Sequence, residues 1–151
     1  MKNSISETIK KKLRSFTEYP LVELNDRINI SSSNQKIPTN VYQTWENNLF
    51  GKTHARYINK FRDLNPELSF YLYDKDKRDN YMSKNWKNHT ISQIYFNSIL
   101  GPMKADIFRY CILYELGGYY FDIGKGCKIP LNLLHKSNHE AIITYEDNIF
   151  F

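Results

Sequence analysis

A helix-to-strand junction constrains this chain more than any other feature. Pro102 opens a run whose apolar residues, Ala105, Ile107, Phe108, Cys111, Ile112 and Leu116, recur at three- and four-residue spacings, as on a helix with one buried face. Proline suits a first helical position, because its missing N–H would have no partner there. Gly117 can take the left-handed conformation that closes a helix, and Gly118 lets the chain turn at once. Tyr119, Tyr120 and Phe121 then favour a pleated, buried surface, and Asp122 stands where that strand stops. A helix over 102–116 feeding a strand over 119–122 predicts an α/β domain. Open sheets of that class bind ligands at the carboxyl ends of their strands, where Asp122 would lie.

The rest of the chain reads in the same alternation. Strands are expected over 40–44 and 69–73, and a last one over Ala141–Tyr145. Helices are expected over 53–63, from an N-cap at Asp74, and over 91–98. Residues 1–36 read as a lead segment with a basic, helix-like start and a polar end at Ser31-Ser32-Ser33-Asn34-Gln35. The catalytic-type domain would then occupy 37–151. Lys10, Lys11, Lys12 and Arg14 can meet an anionic membrane, although such charge runs usually face water.

Asp106 and Arg109 share a face of the 102–116 helix. Taken alone they are an i,i+3 ion pair worth roughly 0.2–0.5 kcal/mol. Their surroundings give them more weight. Ile37-Pro38-Thr39-Asn40-Val41-Tyr42-Gln43-Thr44-Trp45, Phe61-Arg62-Asp63-Leu64-Asn65-Pro66-Glu67-Leu68-Ser69-Phe70 and the Asp106–Asp122 stretch follow one another in a recognisable order. This series resembles glycosyltransferases of family 32, the group of fungal α-1,6-mannosyltransferases, whose core is shared by large glucosylating toxins. The resemblance implies a GT-A fold: a Rossmann-like sheet with flanking helices. It also implies sugar transfer from a nucleotide-diphosphate donor, UDP- or GDP-linked, to a glycan or other hydroxyl acceptor, with retention at the anomeric carbon.

Roles follow from the same resemblance. Trp45 would stack on the donor nucleobase. Asp106 and Arg109 would bond the donor sugar and its diphosphate side. Tyr120 would shape the pocket. Asp122, with Arg109, would serve catalysis, and as first carboxylate of a DxD motif it would hold Mn2+ or Mg2+. The second carboxylate is missing, since Gly124 stands in its place. Losing an anionic ligand weakens a divalent site. Lys125 between Gly124 and Gly126 can bring an ammonium to the diphosphate instead, and Glu146 or Asp147 can reach the ion from beyond the last strand. Gly-Lys-Gly is also an ordinary turn sequence.

The family's catalytic domains run well past residue 151, so the resemblance suggests a half-domain. A degenerate or incomplete transferase, acting as a nucleotide-binding or assembly partner, is therefore the alternative to an active enzyme. Composition limits the remaining options. The net charge is +5, which suits an anionic donor, and no basic stripe interleaved with aromatics indicates nucleic acid. Cys111 and Cys127 form no redox or metal motif and fit a reducing compartment. No apolar run of membrane-spanning length occurs and no apolar signal region opens the chain, so a cytoplasmic, membrane-peripheral setting is expected. His135 and His139 have helical metal-ligand spacing but lack an evident third ligand, and Asp74–Asn80 lacks the glycine and glutamate of a calcium loop.

Overall fold

The computed structural model describes residues 20–30 and 34–143. Three parallel strands form the central sheet: β2 (Asn40–Thr44) in the middle, β4 (Ser69–Tyr73) on one side and β5 (Tyr119–Tyr120) on the other. A separate antiparallel pair joins β1 (Val22–Glu23) to β3 (Leu49–Phe50). Helix α1 (Lys52–Leu64) crosses from β3 to β4. Helices α2 (Lys75–Asn85), α3 (Thr90–Asn97) and α4 (Gly101–Leu116) then lead back to β5. This mixed α/β architecture is consistent with the GT-A-like expectation.

Side-chain alternation along β2 separates the two faces. Val41 packs with Phe61 of α1 and Phe70 of β4. Tyr42 packs with Met82, Tyr95, Phe108 and Ile112 from α2, α3 and α4. Both faces are covered, which is why β2 is buried from Val41 onward. Phe108 is fully enclosed, and burying a side chain of that size contributes roughly 2–3 kcal/mol.

Local chemistry sets the element ends. Asp74 caps α2 by accepting a hydrogen bond from the Lys77 backbone N–H at 2.8 Å. Gly117 (φ +63°) ends α4 and Gly118 (φ +91°) starts β5. A Cβ on Gly118 would lie 2.5 Å from the Asn40 carbonyl oxygen, so only glycine lets β5 close onto β2. Segment 22–29 is knitted to the sheet: Leu24 is buried, Arg27 pairs with Phe70 in an isolated bridge, and Asp26 meets Lys77 at 2.6 Å.

Three expectations need adjustment. The strand over 119–122 is regular only at Tyr119 and Tyr120. The Phe121 N–H still donates to the Tyr42 carbonyl, but the chain then turns, with the Lys125 N–H donating to the Asp122 carbonyl. Leu116, counted among the buried residues of α4, is 43% exposed; Phe108, Cys111 and Ile112 carry the packing. Ala141 to Ile143 make no ladder and are exposed. Ala141 and Ile142 lie along a groove beside β5 without backbone pairing to it. Thr144 and Tyr145 of that expected strand lie outside the described residues, as do Glu146, Asp147, Lys10, Lys11, Lys12 and Arg14.

Candidate functional site

The chain goes from β2 to β4 on one side and later to β5 on the other, so the sheet changes direction between β2 and β5. A crevice forms at the carboxyl ends of two such strands. Here it is a cleft of about 490 Å³. Thr44, Trp45 and Glu46 enter it from the end of β2, Asp106 and Arg109 from α4, and Tyr120 and Asp122 from β5 and its exit. Trp45, Asp106, Arg109, Tyr120 and Asp122, five of the residues singled out in the sequence, therefore share one wall system.

Arg109 organises that wall. Its Nη2 lies 2.6 Å from Asp106 Oδ1 and 3.1 Å from Asp122 Oδ1. The guanidinium carbon sits 4.8 Å from the centre of the Tyr120 ring, a cation–π distance. Its Nε is buried and donates to no described residue. Burial, reinforced by the negative charge of Asp122, pushes the Tyr120 hydroxyl well above the ordinary tyrosine range, so it stays protonated and able to donate. Trp45 is partly buried against Leu24, Phe50 and Ala55 and turns toward the same cleft.

The structure adds residues that the sequence reading missed. Arg78, only 2% exposed, lines the cleft floor. Its Nε donates to the Tyr95 hydroxyl at 2.9 Å and its Nη1 to Thr44 Oγ1 at 3.0 Å. Glu46 lies 3.7 Å from its Nη2. The Tyr95 hydroxyl in turn donates to Asp79 at 2.5 Å. Nothing in Lys75-Asp76-Lys77-Arg78-Asp79 separates this buried cation from its solvated neighbours. The one usable signal was the Asp74 cap, which sets the helical phase one turn earlier.

Lys125 is not brought into this cleft. It is exposed and lines an adjoining groove of about 700 Å³, whose rim it shares with Arg109, Tyr120 and Asp122. Gly124, where a second carboxylate would stand, takes φ +73°. A Cβ there would lie 2.7 Å from His54 Nε2. An aspartate at this position would thus be strained by both backbone and contact. Among the described residues no three His, Cys, Asp or Glu groups gather as a metal cage. Asp122 could hold a divalent ion only with most ligands coming from a bound diphosphate and water, a habit of Mg2+-type sites. His135 bonds the Tyr119 hydroxyl at 2.6 Å.

Three carboxylates (Glu46, Asp106, Asp122) face two guanidinium groups (Arg78, Arg109) across the cleft, leaving one negative charge in excess. Among the described residues, no helix is long and apolar enough to cross a membrane.

The family model of the glycosyltransferase sugar-binding region containing a DXD motif matches residues 51–141. Asp106, Arg109, Tyr120 and Asp122 fall inside that span, and Trp45 lies before it. Inositol phosphoceramide mannosyltransferase 1 of Schizosaccharomyces pombe is 26% identical over 117 residues, covering 76% of this chain and 36% of its own length. The initiation-specific alpha-1,6-mannosyltransferase of Candida albicans is 28% identical over 119 residues, covering 70% of this chain and 31% of its own. A mannosyl phosphorylinositol ceramide synthase of Saccharomyces cerevisiae is 31% identical over 105 residues, covering 68% and 27%. The chain therefore spans about a third of the length of these curated relatives. No solved structure matches it significantly. With more than half of its residues inside the matched region, the chain belongs to the glycosyltransferase family defined by the DXD-containing sugar-binding region.

Proposed function

We propose that this chain carries the donor-binding half of a transferase that moves a sugar, by kinship mannose, from a nucleotide-diphosphate sugar to a hydroxyl acceptor. The observation that carries this reading is Arg109 held between Asp106 and Asp122 at the switch point of a parallel sheet. In this reading Trp45 stacks on the base. Asp106 and Asp122 accept hydrogen bonds from sugar and ribose hydroxyls. The buried Nε of Arg109 is a donor for the anionic diphosphate, and the Tyr120 hydroxyl, which donates to Asp122, orients that carboxylate. By likeness to the family, configuration is retained. The bond from the anomeric carbon to the diphosphate oxygen breaks, and the acceptor oxygen bonds to the same face. The acceptor's proton passes to the departing diphosphate. Preorganised donors at that oxygen supply most of the rate.

The excess negative charge of the cleft bears on the cofactor. A diphosphate entering it meets net repulsion unless positive charge accompanies it. A divalent ion would neutralise the departing diphosphate, and Asp122 is the residue that would hold it. Lys125 on the adjoining groove is the protein's own reserve of charge. The relatives named for inositol phosphoceramide point to a lipid-borne, phosphate-bearing acceptor. The free thiols of Cys111 and Cys127 favour a reducing, cytoplasmic setting.

The glycine at position 124, built against His54, gives a second reading some support: a domain that binds nucleotide without turning it over. One experiment separates the two. The full chain is incubated with GDP- and UDP-linked sugars, Mn2+ and an inositol-phosphate lipid, and products are read by mass spectrometry. Sugar transfer that disappears in Asp122→Ala and Arg109→Ala is expected. Transfer that persists in both variants would sink the assignment.

A further inference from the structure

We infer that the exposed cationic face of α1, together with the loop after β5, docks on the headgroups of an anionic lipid bilayer. The inference rests on the reading of a lipid-borne acceptor and adds the surface by which the enzyme would meet it.

Lys52, Arg56 and Lys60 follow one another at four-residue intervals, so they form a single stripe about 12 Å long on α1. All three are exposed, and none has a carboxylate within ion-pair distance among the described residues. Lys36, Lys75, Lys77 and Lys104 each have an acidic partner within 4.0 Å, and Lys84, Lys87 and Lys136 have none among the described residues, but only on α1 do such cations line up at a fixed interval. The one carboxylate on this face, Asp63, is engaged by Arg27 at 3.2 Å.

The stripe continues into the loop that carries Asp122. Lys52, Arg56 and Lys60 line a shallow depression of about 570 Å³. Lys60 also lines a second, of about 350 Å³, with Tyr57, Lys125 and Lys128. The loop rests directly on α1: a Cβ on Gly126 would lie 2.7 Å from the Phe61 ring, and one on Gly124 would meet His54. Helix and loop thus present five unpaired cations as one surface.

A bilayer suits this arrangement better than a single small anion. The charges are spread along a stripe too long for one phosphate to bridge, whereas a headgroup layer offers phosphates along its whole length. Attraction of lysine and arginine to anionic headgroups acts only within a Debye length, so the face must lie on the surface. Tyr57, 57% exposed, flanks the stripe on the side of the Lys125 loop, and its ring is the kind found at headgroup level. Long lysine stems can lie along the interface with their ammonium groups in water. Docking this face brings the Asp122 loop to the membrane, where a lipid-borne hydroxyl can enter the cleft.

The test is co-sedimentation of the purified full chain with phosphatidylcholine vesicles, with and without phosphatidylserine. Binding is expected only with phosphatidylserine, and it should weaken as salt rises. The triple variant Lys52→Gln, Arg56→Gln, Lys60→Gln should bind about a hundredfold more weakly, while its nucleotide affinity stays unchanged. A folded chain that ignores phosphatidylserine vesicles would overturn the inference. So would a triple variant that binds as well as the parent, or full competition by soluble glycerophosphoserine at matching phosphate concentration. Nucleotide titration of the same sample keeps the two readings apart. Vesicle binding without nucleotide binding removes the transferase and leaves the docking face; the opposite pattern removes the face and leaves the transferase.

Discussion

Arg109 meets two carboxylates with one guanidinium, and each contact has a separate consequence. Replacing it with alanine leaves Asp106 and Asp122 facing each other without their shared cation. Donor use should fall by at least about a hundredfold, the scale of losing a preorganised donor to developing charge. Circular dichroism should show the fold intact, because the site lies at a partly exposed rim. Arg78 behaves differently. It is buried beneath the cleft and bonded to Tyr95 and Thr44, so Arg78→Ala removes two buried hydrogen bonds and leaves a cavity. A loss of about 2–4 kcal/mol is expected in urea unfolding; a loss below 1 kcal/mol would contradict this role. The two arginines were not equally legible. Arg109 sits in a stretch whose spacing to Gly117 and Asp122 identifies it. Arg78 sits in a run of charges whose members look alike until tertiary packing chooses one.

At the scale of elements, the junction of α4 and β5 is the least forgiving part of the molecule. Gly118→Ala adds a Cβ 2.5 Å from the Asn40 carbonyl and keeps a left-handed backbone. Thermal unfolding should show destabilisation of at least about 2 kcal/mol, with β5 detaching first in hydrogen exchange. Unchanged protection of the Tyr119 and Tyr120 amides would argue against this. The strands β2 and β4 and the cap at Asp74 were readable because local chemistry alone sets them: runs of β-branched and aromatic residues in the first case, a side-chain acceptor in the second. The end of β5 was not, because its length depends on where the chain turns away from β2, after the Phe121 N–H has met the Tyr42 carbonyl. The expected strand from Ala141 failed for a related reason: β-prone residues need a ladder partner, and Ala141 to Ile143 have none. The position of Lys125 beside the cleft, not in it, was not readable from the Gly-Lys-Gly sequence. The turn from Asp122 to Lys125, with Gly124 at positive φ, directs it to the neighbouring groove.

The whole molecule carries many buried tyrosines, and these set its response to alkali. Burial raises the Tyr42 hydroxyl from 10.0 to about 12 and pushes Tyr81, Tyr95 and Tyr120 upward as well. Each keeps its proton longer in the folded chain than in the unfolded one. Their contribution is complete below the unfolded value of 10.0 and is lost as pH rises toward 12. Stability should therefore decline above pH 10.0, with tyrosinate absorbance rising together with loss of structure. Titration of Tyr42, Tyr81, Tyr95 and Tyr120 near 10.0 in a chain that stays folded would refute it. The central claim is that the cleft between β2 and β5 binds a nucleotide diphosphate. Calorimetric titration of the full chain with UDP and GDP, each with and without Mn2+, tests it most directly. The account predicts that one nucleotide binds, that Mn2+ strengthens the binding, and that Asp122→Ala abolishes it. A folded chain that binds neither nucleotide, with or without the metal, would contradict it.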